Sequence, residues 1–254
     1  LLMKWRYIDI GLIDPYQAMA THEAMLIARA REKCPNTLYL EQYNSKSVFL
    51  GYHQAAEAEL NLDYCKGNNI KVVRRMTGGG AGYMDPNQLN FAVIVDRMEY
   101  NIPSDFVQSY ERILDGFIEA LKYFNLNAEF NPINDLIVNG AKVSGGCQTR
   151  KKNIILQHGS LLIDFDLDTA FKVLKVPKVK YESKGIKSAK SRVSWLNKEL
   201  GYPVNLDKLK TAIKKGFEKS FKIEFTESGL TQYEKELVQE LLPKYKSENF
   251  IYRM

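Results

Sequence analysis

The sequence predicts an α+β fold, a mixed β-sheet with packed helices. Three observations carry that reading. Apolar residues recur at three- and four-residue steps in long stretches near the start, the middle and the end of the chain. Between them lie short β-rich runs bounded by turn residues. A block of strands from 135 to 163 is punctuated by Asn139-Gly140, a strong type I′ hairpin signal.

The elements follow in order. Residues 15–33 read as a helix, with Pro15 suited to its first turn and Met19, Leu26 and Ala30 on its apolar side. Residues 38–40 and 47–50 read as strands split by Tyr43-Asn44-Ser45, and 57–66 as helical or turn-like. Residues 70–73 and 89–95 are strands. Phe106, Tyr110, Leu114, Phe117 and Leu121 make 104–124 a long helix. Strands at 135–138 and 141–144 lead through a turn at Arg150–Asn153 to a further strand at 154–163. A short helix at 168–174 precedes a loop over 175–192. Helices at 206–221 and 231–245 flank a strand at 223–225, and Thr231 with Glu234 three positions on predicts a cap. The helices are expected on one side of the sheet. The chain is expected to divide into a core, 1–175, and a basic loop with a small C-terminal helical lobe packed on it, 176–254.

The 254 residues are 45% hydrophobic and 26% charged, values of a soluble globular chain. No run approaches the length of a membrane span, and the opening residues turn polar too soon for a signal peptide, so the cytoplasm is the expected compartment. Three cysteines, at 34, 65 and 147, are odd in number and unlike a zinc ribbon in spacing, which argues against a disulfide scaffold and a cysteine metal site. The net charge of +6 is local: residues 172–192 hold eight basic side chains against Glu182 alone. Such a segment attracts nucleic acid, a phosphorylated ligand or an acidic protein, or is simply a solvated loop. Aromatic residues are not interleaved with it at a stacking spacing, which weakens the nucleic-acid reading.

Three segments carry candidate chemistry. In Arg74-Arg75-Met76-Thr77-Gly78-Gly79-Gly80-Ala81-Gly82-Tyr83-Met84-Asp85, the glycines let backbone N–H groups approach a ligand, and the arginines suit a carboxylate or phosphate. The spacing is neither a P-loop nor a dinucleotide fingerprint. In Asn134–Arg150, Lys142 follows the tight turn and precedes Ser144, Gly145 and Gly146, a setting in which an amine can neutralise charge during acyl transfer. Asp135 is a candidate Mg²⁺ ligand. Cys147, near Lys142 and Arg150, is a candidate nucleophile or a small core residue. In Leu156–Leu162, His158 sits in an apolar strand, where a satisfied buried histidine is the competing reading. His53 follows a strand end and is equally ambiguous. His22 reads as structural.

Together, Phe49–Gln54, Arg74–Asp85, Asn134–Gly146 and Leu156–Leu162 resemble the lipoate–protein ligase and octanoyltransferase superfamily, whose core fold is shared with biotin–protein ligases. Ser188–Leu196 resembles a further family loop. The resemblance implies a class II biotin/lipoate ligase-like catalytic domain without the large accessory domain of the long ligases. It implies an ATP- and Mg²⁺-dependent ligase that makes lipoyl-AMP from lipoate. The lipoyl group then passes to one lysine of an apo lipoyl domain, on a 2-oxoacid dehydrogenase E2 subunit or glycine cleavage H protein. A separate accessory subunit is a possible further partner. Neither nucleic acid nor a membrane is expected.

Carried over, Lys142 contacts the carbonyl and α-phosphate. Arg74, Gly78, Gly79, Gly80, Tyr83, Asn134, Asp135, Ser144, Gly145, His158 and Gly159 bind the nucleotide and acyl group, Asp135 holds the metal, and Gly51 and His53 edge the acyl pocket. Two departures stand out: Met84-Asp85 replaces a usual His-Asp pair, and Gly82 replaces an apolar β-branched residue. Compact transferases of the superfamily place a thioester cysteine just before the Asn134-Asp135 region, and Phe130–Ile133 contains none. That favours the ligase. The alternatives are an octanoyl/lipoyl transferase using Cys147 and a basic nucleic-acid-binding protein without catalysis. In the basic segment, Lys184, Lys187 and Lys190 are expected to close over the adenylate or to steer an acidic lipoyl domain.

Overall fold

The computed structural model describes residues 3–175 and 191–253. The strands are β1 (Met3–Ile13), β2 (Thr37–Tyr43), β3 (Ser47–Leu50), β4 (Lys71–Arg74), β5 (Gly82–Met84), β6 (Gln88–Asp96), β7 (Ala128–Asn131), β8 (Asp135–Val138), β9 (Ala141–Lys151), β10 (Ile154–Leu162) and β11 (Ile223–Glu227). The α-helices are α1 (Pro15–Ala30), α2 (Ala56–Glu59), α3 (Leu62–Gly67), α4 (Phe106–Leu121), α5 (Leu167–Val173), α6 (Leu196–Leu200), α7 (Leu206–Phe221), α8 (Gln232–Lys246) and α9 (Glu248–Ile251). Lys184, Lys187, Lys190 and the closure or steering expected of them lie outside the described residues. Among the described residues, no helix is long and apolar enough to cross a membrane.

Eight strands form one mixed sheet in the order β11-β1-β2-β6-β10-β9-β8-β7, and β4-β3-β5 form a second, small sheet. β1 runs parallel to both β2 and β11, while β2, β6, β10, β9, β8 and β7 pair antiparallel. The hairpin between β8 and β9 turns at Asn139 and Gly140, both at positive φ (50° and 76°), as a type I′ turn requires.

Helices cover both faces of the large sheet, against the one-sided packing expected from sequence. The cause lies in the central strands. β6 is buried at every position from Gln88 to Val95, so neither of its faces can be left to water. One face carries Leu38, Leu40, Phe91, Val93 and Leu161 against Phe117 of α4 and Phe217 of α7. α4 and α7 cross closely: a Cβ at Gly216 would sit 2.2 Å from the Gly116 carbonyl oxygen. The other face carries Tyr39, Ala92, Ile94 and Leu156 against Met25 and Leu26 of α1. β1, which the sequence reading passed over, alternates between these layers. Trp5 and Tyr7 enter the first core and Ile8 the second.

The chain beyond 190 is woven into the same layers. β11 pairs with β1 at the sheet edge, α7 fills the first core and α8 packs on α1 through Leu237, Val238 and Tyr245. α8 begins with the capping box that Thr231 and Glu234 predict. Glu234 also receives Arg6 Nη1 at 2.7 Å and Nη2 at 2.5 Å, both side chains being buried. Burial pushes the Glu234 carboxyl up, but the Arg6 hydrogen bonds and charge and the Thr231 contacts outweigh it and hold it below the ordinary glutamate value.

A carboxylate with a depressed folded pKa stabilises the fold above its unfolded value, about 4.3, and that stability is lost as pH falls through the folded value. Glu234→Gln should therefore cost about 3–5 kcal/mol at pH 7, the range for breaking a buried pair. In urea denaturation, the gap between wild type and variant should narrow as the pH is lowered from 7 toward 3. A gap that holds constant over that range would refute this account of Glu234.

Candidate active site

A cavity of about 380 Å³ opens between the two sheets, near the lower end of small-molecule sites (~300–1,000 Å³). Its wall is largely apolar: Met19 of α1, Tyr43, Phe49, Met84, Leu162 and, from the segment around α5, Phe165 and Phe171. Of the residues expected at the site, Gly80, Tyr83, Asn134, Lys142, Gly145, Cys147, His158 and Gly159 line it. Arg75, Asn90, Ser160 and His22 join them.

Lys142 lies at the mouth. Its backbone is pinned by Arg192 and Ser194, each hydrogen bond 2.8 Å. Its Nζ lies 2.6 Å from Asp135 Oδ1, and its side chain crosses directly over Gly145, where a Cβ would fall 2.6 Å from Nζ. Asp135 itself is outside the cavity wall and paired with Lys142. Among the described residues, no three His, Cys, Asp or Glu side chains gather to hold a metal. The expected metal ligand, Asp135, is paired instead with Lys142. Asn134 donates from Nδ2 to the Gly146 carbonyl at 2.6 Å and so braces the strand that carries Cys147.

The two arginines of the glycine-rich segment part company. Arg74 is fully buried, and its guanidinium donates to the backbone carbonyls of Gly51, Tyr52, Gln54, Phe250, Ile251 and Arg253 at 2.8–3.2 Å. It anchors the C-terminus on the small sheet. It is not available to a carboxylate or phosphate, contrary to expectation, because it is fully buried, lies outside the cavity wall and spends its Nε, Nη1 and Nη2 groups on these carbonyls. Arg75 instead faces the cavity and clamps the glycine loop, donating to the carbonyls of Phe49, Gly78 and Gly80 at 2.9–3.1 Å.

Gly78 serves that clamp from outside the cavity. Gly79 has φ of +98°, and a Cβ on it would sit 3.1 Å from Cys147 Sγ, so the loop rests against the thiol. Gly51 lies behind Gly79, away from the cavity. His53 is exposed, its ring edge against Tyr52, and also lies outside. Ser144 points to the opposite face of the sheet. Gly159 reaches the cavity with its backbone. Its missing side chain serves packing, since a Cβ would meet the Gly145 carbonyl oxygen at 2.3 Å and Phe91 at 2.9 Å.

Behind the glycine loop runs a buried polar line that the sequence reading did not assemble. Arg75 Nε donates to Thr77 Oγ1 at 3.3 Å, and Thr77 Oγ1 lies 2.8 Å from His158 Nε2. His158 Nδ1 meets His22 Nδ1 at 3.0 Å, and His22 Nε2 faces Glu41 Oε1 at 3.1 Å. Burial, then the neighbouring His22 and Arg75, push the His158 pKa well down, so the ring is neutral. One of its nitrogens then donates and the other accepts, and the Thr77 hydroxyl can take either role. Burial, then the Glu41 carboxylate, raise the Tyr43 hydroxyl well above its ordinary value and keep it protonated. His22 was legible only as a helical residue, and Glu41 lay just past the strand read at 38–40. Their partnership spans α1 and β2, a separation that no local motif encodes.

The departures at Met84 and Gly82 belong together. A Cβ at Gly82 would lie 3.4 Å from Met84 Cε, so the methionine occupies the space that the glycine leaves. Met84 adds an apolar, uncharged surface to the cavity wall where an imidazole was expected.

Of the three cysteines, Cys147 alone lines the cavity. It stands directly opposite His158 in the β9–β10 register. Cys34 and Cys65 are buried, and burial pushes the Cys34 thiol up to about 12 and raises that of Cys65.

Comparison with known proteins follows the same geometry. The family model for the lipoyl protein ligase A/B catalytic domain matches residues 14–218. The chain is 31% identical to octanoyltransferase LipM of Clostridioides difficile (strain 630) over 270 aligned residues, covering 97% of this chain and 98% of that protein. It is similar, with a TM-score of 0.86 and 30% identity, to a bipartite lipoate protein ligase from Thermoplasma acidophilum, solved in an archaeal lipoylation system with its E2 lipoyl domain. That match covers 98% of this chain and 96% of the other. A lipoate-protein ligase A bound with ATP gives a TM-score of 0.83 at 28% identity, covering 98% and 99%. These likenesses establish the mixed-sheet fold expected from the resemblance. They overturn the expected activity: curated relatives that match nearly end to end are octanoyltransferases, so the ATP-dependent lipoate ligase gives way to the transferase alternative.

The cavity predicts selective thiol chemistry. Brief treatment of the native protein with iodoacetamide should alkylate Cys147, with Cys34 and Cys65 reacting only after unfolding. Peptide mass mapping checks this, and modification of Cys34 or Cys65 as fast as Cys147 would contradict the placement of the thiols.

Proposed function

The chain belongs to the lipoyl protein ligase A/B catalytic-domain family, and from that premise we propose that it moves an octanoyl-type acyl group from a thioester donor to a lysine of a lipoyl domain. The observation that carries the reading is the placement of Cys147. It is a thiol on the wall of a largely apolar cavity, flanked by the Gly78–Gly80 loop and by Lys142 at the mouth.

The steps balance without a cofactor. The Cys147 sulfur attacks the carbonyl carbon of the donor thioester. A new C–S bond forms, the donor C–S bond breaks, and the thiol proton leaves with the donor's sulfur. The ε-amine of the acceptor lysine then attacks the Cys147 thioester, an amide forms, and the cysteine recovers a proton from the amine. In both steps negative charge gathers on the carbonyl oxygen. The Lys142 ammonium, steered by Asp135, supplies the compensating charge at the mouth. Arg75 and Asn134 hold the loop and the strand against which the thioester lies. Asp135 acts here on Lys142 and needs no metal.

Intact-mass spectrometry of an apo lipoyl domain, incubated with the protein and an octanoyl-carrier thioester without ATP, tests the proposal. The domain should gain one octanoyl group, and acid-quenched enzyme should carry the same group on Cys147. Cys147→Ser should lose both signals. Lys142→Met should slow transfer by roughly 10²–10³, the cost of removing one oxyanion-stabilising donor. Absence of transfer without ATP, or undiminished transfer by Cys147→Ser, would overturn the reading.

A further inference from the structure

Plain strand alternation would turn Lys142 away from the cavity. In β9, Gly145 and Cys147 line the cavity and Ser144 faces the opposite side, so a regular strand would send Lys142 the way of Ser144. The pairing with β8 shows why it does not go there. Asp135 pairs with Gly145 and Leu136 with Ser144, but Ile137 pairs with Lys142, so β9 carries one extra residue, Val143. Val143 and Leu136 both enter the first core. This bulge returns Lys142 to the face of Gly145, over which its side chain lies.

A bulge interrupts the ladder, so the residues around it must be held from elsewhere. β10 accompanies β9 only as far as Ser144. Beside Lys142 its place is taken by the segment 192–194, which runs parallel and bonds the Lys142 backbone on both sides. One side chain ties the two flanks of Lys142 together. The Glu199 carboxylate of α6 accepts from Asn139 Nδ2 at 2.6 Å, in the turn between β8 and β9, and from the Ser194 hydroxyl on the neighbouring segment. Ser194 is 1% exposed, so this arm is anchored on a buried group. Glu199 itself lies outside the cavity wall.

Resting on the acyl-transfer reading, we propose that Glu199 is a positioning residue for that reaction. By joining Asn139 to Ser194 it holds the bulged hairpin against the segment 192–194. Lys142 Nζ is thereby kept at the mouth, where charge gathers on the carbonyl oxygen. A displacement of about 1 Å near the reacting atoms can cost on the order of 10²-fold, so a carboxylate that meets no substrate still governs the rate.

Octanoyl transfer to an apo lipoyl domain, read by intact mass, tests this in Glu199→Leu, in Glu199→Gln, and in Glu199→Leu combined with Lys142→Met. Glu199→Leu should lower kcat by roughly 10–10² with little change in KM. Glu199→Gln should keep most of the rate, because an amide still accepts from Asn139 and can donate to the Ser194 hydroxyl. In the Lys142→Met background Glu199→Leu should cost nothing more, since no ammonium is left to place. A general loss of structure would slow both backgrounds alike. Lysine acetylation, mapped by peptide mass, adds a readout without turnover. Lys142 should label faster in Glu199→Leu, once its hold against Asp135 loosens, while iodoacetamide alkylates Cys147 at the wild-type rate. An equal loss in Glu199→Gln, a further loss in the Lys142→Met background, an altered Cys147 rate or unchanged labelling of Lys142 would each overturn the inference. Should Glu199→Leu fail to fold, Asn139→Gly replaces it, since glycine keeps the positive-φ turn and removes one arm. Transfer that Glu199→Leu leaves intact would refute this inference and leave acyl transfer standing. Faster labelling of Lys142 in Glu199→Leu, in a protein that transfers nothing, would refute acyl transfer and leave the hold on Lys142 standing.

Discussion

The contact between Thr77 Oγ1 and His158 Nε2, 2.8 Å long, joins the small sheet to the large one at the bottom of the cavity. On one side it anchors the glycine loop, which Arg75 grips from above. On the other it belongs to β10, the strand held between β6 and β9. With it, the loop that bears on Cys147 is held at Thr77 by His158 and by the Tyr52 N–H, and at Gly78 and Gly80 by Arg75. The imidazole in that tie is neutral, because burial beside His22 and Arg75 pushes its pKa well down. The polar groups this deep form a line from the Arg75 guanidinium through Thr77, His158 and His22 to the Glu41 carboxylate.

The architecture explains why the site sits where it does. A sheet whose central strands are buried on both faces must be covered twice, by α4 and α7 on one side and by α1 with α8 on the other. The second covering is incomplete. α1 shields β2, β6 and part of β10, and the small sheet with its glycine loop stands over the remainder, leaving the cavity between. Lys142 and Cys147 lie at its β9 side and Asn90 at its β6 side.

Much of this was legible along the chain. The long helices, the Asn139-Gly140 hairpin and the Thr231 cap follow from local patterns, and each appears where its pattern places it. Lys142 was singled out from the residues around it, and Asn134, Gly145 and His158 from the family resemblance, and they meet at one cavity. β1 was missed because its alternation serves two separate cores and so looks hydrophobic on neither side alone. Arg74 was misread because adjacent arginines look alike in sequence. One points back into the C-terminal tail and the other into the cavity, since successive residues at a strand end face opposite ways.

The sequence by itself determined most of the elements, the family and a set of candidate side chains, because helix period, turn chemistry and glycine runs act over a few residues. Tertiary structure alone decided which of those side chains share a site. Asp135 became the partner of Lys142, Arg74 a backbone anchor, and His22 and Glu41 the far end of a buried polar line. Each of these outcomes depends on strand register and on which face of a sheet a residue occupies. Those are fixed by contacts between residues distant in the chain, where no local pattern reaches.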